Sequence, residues 1–299
     1  MRSVAEWRDR EAKPTAQEAN MELPPGVTLR LERLEAELAA APVIDVVGVV
    51  EPPGAAGAGG GNSAGSQTWT LLFDFAAWRV VNSVVQRTTL SVRQDMLRDE
   101  LRRLMGVLRP YKIFRIRARM VERSAVNGAP NAQMEALIGE ELGDAELNAI
   151  SQELQKPVTY TDPEFGTLTL NRALHCYDGE VVWEGRPARL SLFADDSGNI
   201  AGALLAARVL WENQTSWGMK VRNFAVGKLL PLKNESWLDD GEPELRPEDF
   251  LSRMRLESIS IRPDGSFEFW HSDGDLFWGH SIQISGNLAE GPKHADIPG

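Results

Sequence analysis

A chain of 299 residues, 42% hydrophobic and 25% charged, is long enough to fold as two ordinary domains with a core in each. Its net charge of −11 argues against a protein that coats nucleic acid over its whole surface. A single cysteine, Cys176, excludes an intrachain disulfide and a thiolate metal cluster, and it favours a reducing, cytoplasmic location. No apolar run reaches the ~20 residues of a membrane span, so we expect no membrane association.

Residues 1–41 are predicted to form a loose tail and an amphipathic helix. Residues 1–21 are polar and lack periodicity, which is typical of a chain end that does not pack. Pro24-Pro25 favours a helix start, and apolar residues follow at helical spacing: Val27, Leu31, Leu34 and Leu38. We interpret this stripe as a face that docks on the helix's own domain.

Residues 42–130 are predicted to form a small curled sheet or barrel with one helix. The β-rich apolar run at 43–50 indicates a strand, and the Gly-, Ala- and Ser-rich segment 54–66 predicts a flexible loop. Two further strands, at 69–75 and 80–92, precede a helix over 94–107. This pattern suggests a barrel of the oligonucleotide-binding type, for which one strand is hard to find.

The alternating pattern of residues 111–123 predicts a long strand with two unlike faces. One face is apolar, and the other carries Arg115, Arg117 and Arg119. Such a face tracks phosphates, so we predict a binding site for nucleic acid or another anionic ligand on this domain. The alternative is a solvated face, or one neutralised by the acidic residues between 135 and 153.

The second half of the chain is predicted to be an α+β domain, residues 158–291, after an acidic helical connector at 131–157. Three antiparallel strands form a meander: 165–170, 175–183 with a turn at Asp178-Gly179, and 188–194. Three helices follow: 200–211, 217–230, which ends at Pro231, and a short one from Pro247. Later strands complete an antiparallel sheet packed with helices, and residues 292–299 are predicted to be a tail.

Ser266–Ile284 has the greatest density of chemical groups in the chain. Its alternation predicts a β-hairpin with a two-residue turn, either Asp273-Gly274 or Gly274-Asp275. Either register places His271 and His280 on one aromatic face, and only the second makes them diagonal neighbours. His271, Asp273, Asp275 and His280 are therefore candidate metal ligands. The alternative is that the histidines belong to the core and the aspartates to the turn.

Several stretches of the second half carry a family resemblance: Phe165-Gly-Thr-Leu168, Tyr177-Asp-Gly179, Val182-Trp183, Leu229-Leu-Pro-Leu-Lys-Asn234 with Trp237, Phe267-Glu-Phe-Trp270, and Asp273-Gly-Asp-Leu-Phe-Trp-Gly-His-Ser-Ile282. On these residues, roughly 160–291 resemble the uncharacterised bacterial family known as domain of unknown function 2262. The resemblance implies a soluble bacterial domain and supplies no catalytic residues.

The sequence favours a non-enzymatic binding or protein-interaction module, because no catalytic group of residues can be assembled and no cofactor motif is found. The expected partner is another protein, a basic one given the net charge of −11. An immunity or regulatory role would fit such a partner, and it is a guess that no sequence motif supports. The alternatives are a metal-assisted hydrolase centred on the hairpin, and anion or nucleic-acid binding through the arginine strand.

Overall fold

The computed structural model describes residues 25–59, 68–239 and 241–298, and these form six helices and fourteen strands in two sheets. The fold class is therefore mixed α+β, as predicted. The chain divides into two compact units between Lys156 and Pro157. None of the helices in the described ranges combines the length and apolar character needed to cross a bilayer. The predicted tail at 1–21 and positions 60–66 of the predicted glycine-rich loop lie outside the described residues.

The N-terminal unit is a closed barrel. Its elements in chain order are α1 (Pro25–Ala40), β1 (Val43–Val50), β2 (Ala56–Ala58), β3 (Thr68–Val80), β4 (Leu90–Leu97), α2 (Arg98–Val107), β5 (Ile113–Val121), β6 (Asn131–Glu140) and α3 (Ala145–Leu154). The strand order β1-β5-β6-β4-β3 returns to β1, because β1 also pairs with β3. Only β4 and β6 pair in parallel among these strands. This is the five-stranded Greek-key arrangement of the oligonucleotide-binding fold.

Two predictions in this unit were wrong. The helix expected over 94–107 begins only at Arg98, because residues 90–97 form β4 and alternate into the barrel core. The segment 131–157, expected to be helical throughout, is β6 followed by α3. The register of β6 against β5 shifts twice, which breaks the alternation that would have marked a strand. Tertiary pairing overrides the helix propensity of its Ala, Met and Glu residues, and β6 is the strand that the barrel prediction lacked.

The C-terminal unit is a sheet covered by helices. Its elements are β7 (Thr159–Asp162), β8 (Gly166–Asn171), β9 (Cys176–Trp183), β10 (Arg186–Phe193), α4 (Ala201–Glu212), α5 (Gln214–Ser236), α6 (Pro247–Arg253), β11 (Arg255–Ile261), β12 (Ser266–Ser272), β13 (Ile282–Asn287) and β14 (Gly291–Asp296). The strands lie in chain order across one eight-stranded sheet. Every neighbouring pair is antiparallel except β10 and β11, which the three helices connect.

The helices cover one face of this sheet, and period-two alternation decides which residues they bury. Leu190 and Leu192 of β10 and Phe267 and Phe269 of β12 are among the strand residues in this core. The intervening residues, such as Arg189, lie on the opposite face. The helix-covered face is therefore the one on which buried chemistry can be built.

Three local predictions in this unit were wrong. Asp178-Gly179 lies within β9, where Gly179 is needed because a Cβ atom would stand 2.4 Å from Leu168. The turn between β9 and β10 is Glu184-Gly185, whose φ angles of 46° and 78° suit a two-residue hairpin. Helix α5 continues through Pro231 to Ser236, and the expected tail at 292–299 contains β14. Tertiary contacts beyond Pro231 offset its local cost of about 3 kcal/mol.

Candidate functional site

The predicted hairpin has a longer connection than expected. β12 pairs with β13 so that His271 faces Ile282 and Phe269 faces Ile284. Residues 273–281 form a loop between the strands, so neither predicted two-residue turn is present. The buried aromatic face is confirmed on the strands, where Phe267 and Phe269 are each 1% exposed.

Asp273 organises this loop. Its carboxylate is 5% exposed and accepts hydrogen bonds from the backbone N–H groups of Asp275 (3.3 Å), Phe277 (2.7 Å) and Gly279 (3.0 Å). These bonds hold Leu276 and Phe277 in the core, where both are fully buried. Asp273 is therefore a structural residue of the loop.

The structure does not bring the four predicted metal ligands together. His271 lies on the helix-covered face, and Asp273 is engaged by the loop backbone. Asp275 is exposed, and His280 packs edge-on against Trp237 with ring centroids 5.6 Å apart. Within residues 25–59, 68–239 and 241–298, no group of three or more His, Cys, Asp or Glu side chains is placed to hold a metal ion.

The arginines of β5 are paired with carboxylates. Arg115 and Arg117 donate to Asp45 of β1 at 2.6 and 2.9 Å, and Arg119 pairs with Glu135 of β6 at 2.9 Å. Hydrogen bonds from Arg117 and Arg115 hold the pKa of Asp45 below its usual range. All three arginines of this ladder are held by carboxylates, two by Asp45 and one by Glu135, so most of its charge is compensated within the barrel. Of the two carboxylates, Glu135 is one of the acidic residues that the sequence offered as the alternative.

The face that oligonucleotide-binding barrels commonly use is formed by their second and third strands. Here those strands are β3 and β4. Leu72, Asp74 and Asp95 alternate with buried residues on them, so they face outwards. Arg93 faces outwards beside them and pairs with Glu35 at 3.3 Å. This face therefore carries no excess positive charge that would attract a phosphate backbone, so the fold by itself gives no support for nucleic-acid binding.

A cleft of about 940 Å³ opens on the helix-covered side of the C-terminal sheet. We call it the helix-side cleft. It lies between the β9–β10 turn, helices α5 and α6, and the ends of β11 and β12. Its apolar lining includes Trp183, Val221, Leu251, Met254, Leu256 and Phe269, and its polar lining includes Glu184, Arg186, Arg222, Ser252, Arg255 and His271.

One wall of the helix-side cleft is a built ion pair. Arg222 of α5 donates two hydrogen bonds to the Glu184 carboxylate, at 2.5 and 3.1 Å. The carboxylate lies directly against α5 because Gly218 has no side chain, and a Cβ atom there would stand 2.6 Å from Glu184 Oε2. The positive φ of Glu184 turns the residue towards the helix. The ion pair therefore holds the β9–β10 turn against helix α5.

Two other arginines of the helix-side cleft lack such a partner. Arg186 begins β10 and Arg255 begins β11, and these strands are parallel neighbours. Both side chains are exposed, and neither makes an ion pair with any residue in the described part of the chain. Register places Arg186 beside Trp183 on the helix-covered face, whereas Arg255 borders the cleft at the start of β11 and pairs with Ser272 on the opposite face.

His271 contributes a buried neutral ring to the helix-side cleft. It is 5% exposed, and its Nδ1 atom has no hydrogen-bond partner among the described residues. Burial lowers the pKa of His271 to about 4, and the positive charge of Arg222 adds to this shift. The ring is therefore uncharged at neutral pH, and its unpartnered Nδ1 atom is itself buried.

The burial of His271 predicts acid sensitivity. Its folded-state pKa of about 4 lies below the ordinary 6.5, so the unfolded chain binds the proton more readily between these values. Stability should fall as pH drops through this window. Between about pH 7.5 and about pH 5, we expect the wild type to lose about 2 kcal/mol more than His271→Phe, as measured by urea unfolding. Equal losses in the two proteins would show that the ring is not buried in its neutral form.

The segment between α5 and α6 is held by two residues of the predicted motif 229–234. Lys233, 1% exposed at its side chain, donates to Glu242 at 2.7 Å and to the Trp237 carbonyl at 2.6 Å. Asn234 exchanges two hydrogen bonds with the backbone of Leu245, both 3.0 Å long. These contacts fix the start of α6, and with it one wall of the helix-side cleft.

Two protein-family models match the chain, one in each unit. The model of DUF2262, described as an uncharacterized protein conserved in bacteria, matches residues 162–297. The resemblance inferred from the motifs is therefore confirmed, and the match includes β14. A separate model, domain of unknown function DUF7021, matches residues 30–154. No curated protein and no solved structure matches the chain.

The DUF2262 match contains the whole of the helix-side cleft, but sequence reasoning did not find this site. Glu184, Arg222 and Arg255 come from a turn, a helix and a strand that lie far apart in the chain. The one local signal was the Glu184-Gly185 pair directly after Val182-Trp183, a two-residue turn between apolar strands. Asp178-Gly179, a few residues earlier, has the composition of a turn as well, although it lies within β9.

Proposed function

We propose that the chain is a non-enzymatic binding protein of the bacterial cytoplasm, with its main ligand site in the helix-side cleft. One observation carries the proposal. A cleft of about 940 Å³ joins apolar walls to the exposed Arg186, which makes no ion pair with any of the described residues. Its volume is within the range of about 300–1,000 Å³ that small-molecule sites occupy.

The chemical state of three potentially reactive groups supports binding rather than catalysis. Burial raises the pKa of the Cys176 thiol to about 12, and the nearby Asp178 carboxylate adds to the shift, so the sulfur is held as an unreactive thiol. His271 is uncharged and Asp273 is committed to the loop backbone. Bacterial origin follows the description of the DUF2262 family, and the single cysteine supports a reducing compartment.

The sequence also predicted a protein as the partner, and we propose this as the second kind of ligand for the helix-side cleft. A protein would use the helix-side cleft by inserting one protruding side chain or a chain terminus, because a folded surface cannot enter a concave site of this volume. The arginines at its edge would favour an acidic group on the inserted segment.

Closing the helix-side cleft tests the proposal. Ser252 is exposed at the cleft, so Ser252→Trp should fill the mouth without disturbing the core. Wild type and variant would be incubated with a bacterial small-molecule extract, and retained compounds identified by mass spectrometry. Ser216→Trp, at an exposed position of α5 outside the lining, is the matched control. We expect a compound retained by wild type and Ser216→Trp and lost by Ser252→Trp. Equal retention by all three proteins would refute the proposal.

A further inference from the structure

We infer that Trp237 and Trp278 form a docking site for an arginine side chain of a basic protein partner. We call this pair the tryptophan platform. It lies outside the lining of the helix-side cleft, so the inference goes beyond the ligand site proposed above. It rests on the geometry of the two rings, on the backbone that presents one of them, and on the charges nearby.

Buried neighbours fix the position of the tryptophan platform. Trp237 follows α5 directly and makes edge-to-face contacts with Phe277 and His280, with ring centroids 5.5 and 5.6 Å apart. Trp278 lies against Trp237 at 4.6 Å, with an angle of 48° between the rings. Trp278 is nevertheless 58% exposed. The pair therefore offers a fixed aromatic surface to a partner.

The backbone of Trp278 is in an unfavourable conformation. Its φ of 56° lies in the left-handed region, which a bulky residue rarely occupies because its Cβ atom crowds the following carbonyl group. Glycine would adopt this conformation without strain. Because much of the ring is exposed, burial in the core does not account for a tryptophan here. Strain of this kind is typical of a residue that serves a binding site.

Elsewhere the protein places its own cations over its aromatic rings. Lys220 lies over Trp217 with its Nζ atom 4.3 Å from the ring centroid, and Arg262 lies over Phe193 at 4.2 Å. Among the described residues, no Lys or Arg side chain lies over either ring of the tryptophan platform. An aromatic face that attracts a cation is therefore left open to a partner.

The charges near the tryptophan platform also favour a cation. Three exposed carboxylates lie within three residues of it in the sequence, and none forms an ion pair with a described residue: Glu235, Asp239 and Asp275. Lys233 is buried and already paired with Glu242. An arginine suits such a site because its planar guanidinium group stacks on an aromatic ring while keeping its charge. The net charge of −11 would attract a basic protein as a whole.

Titration calorimetry with a short peptide that alternates arginine and glycine tests the inference. The comparison peptide carries citrulline, which has the shape of arginine without its charge, and should bind roughly tenfold or more weakly. Trp278→Leu should weaken binding of the arginine peptide roughly two- to tenfold, and Trp278→Phe by less, because indole attracts a cation more strongly than phenyl does. Tyr160→Leu, at an aromatic residue of β7 that is 39% exposed, is the matched control and should leave the affinity unchanged.

Trp278→Gly separates a binding role from a structural one. Glycine relieves the strained φ, so the midpoint of urea unfolding should stay close to that of the wild type while the arginine peptide binds as weakly as to Trp278→Leu. A markedly lowered midpoint would assign the ring to the fold and overturn the inference. It would also be overturned by equal affinity of the arginine peptide for wild type and Trp278→Leu, by equal affinities of the two peptides, or by no binding of the arginine peptide.

Discussion

Glu242→Ala is expected to destabilise the C-terminal unit by about 3–5 kcal/mol. The substitution removes the ion-pair partner of Lys233, whose side chain is 1% exposed and lies 2.7 Å from the Glu242 carboxylate. An ammonium group this deeply buried cannot regain water, and only the Trp237 carbonyl would remain beside it. The free energy of unfolding from urea titration is the measurement.

A double variant separates the buried charge from the packing. Lys233→Met with Glu242→Gln removes both charges and keeps the side chains close to their original size. Its free energy of unfolding should lie much nearer to wild type than that of Glu242→Ala, since no unpaired ion is left in the core. If Glu242→Ala lies within about 1 kcal/mol of wild type, Lys233 is not buried as an ion.

Asp273→Ala should cost about 2–4 kcal/mol, because one buried carboxylate accepts hydrogen bonds from three backbone N–H groups of its loop. Without it, the N–H groups of Phe277 and Gly279 lose their acceptor, and the loop no longer holds Leu276 and Phe277 in the core. The free energy of unfolding of Asp273→Asn should lie between those of the wild type and Asp273→Ala, since the Asn amide keeps one oxygen acceptor.

Asp275→Asn is the control for this loop. Asp275 is two residues away and exposed, its side chain accepts none of the loop hydrogen bonds described above, and Asn tolerates its positive φ of 66°. Its substitution should change the free energy of unfolding by no more than about 0.5 kcal/mol. A similar loss in Asp273→Ala and Asp275→Asn would mean that the loop does not depend on the buried carboxylate of Asp273.

Local patterns predicted the elements whose burial appears in the sequence as an alternation or as a continuous apolar run. The run at 43–50 is β1 to the residue, and the two faces of the predicted strand at 111–123 are those of β5. The meander of β8, β9 and β10 follows from the same rule. Period two is visible in β5, whereas β1 is marked by a continuous apolar run, because its valines are buried on both faces.

The failures share a different physical cause, which is that long-range contacts decide the structure. β6 is a strand because β5 and β4 pair with it, although its register shifts hide the alternation. The loop at 273–281 is held by a buried carboxylate and core contacts, which a turn pattern at Asp273-Gly274-Asp275 does not reveal. Gly179 looked like a turn residue, but it makes room for Leu168.

The helix-side cleft depends most strongly on such long-range contacts. Whether Arg222, Arg186 and Arg255 are paired or free depends on which carboxylate the fold brings to each. In the barrel, the same residue type at Arg115 and Arg117 is engaged by one carboxylate, that of Asp45. Sequence identified an arginine-rich strand, and only the fold shows which arginines are available to a ligand.

The location of binding tests the central claim most directly. Amide chemical shifts of the ¹⁵N-labelled protein would be followed during titration with the compound recovered from the extract. The account predicts that the largest shifts cluster around the helix-side cleft, at Gly218, Ser252, Arg255 and His271. Shifts that cluster instead on β5 of the barrel, or on the uncovered face of the C-terminal sheet, would contradict it.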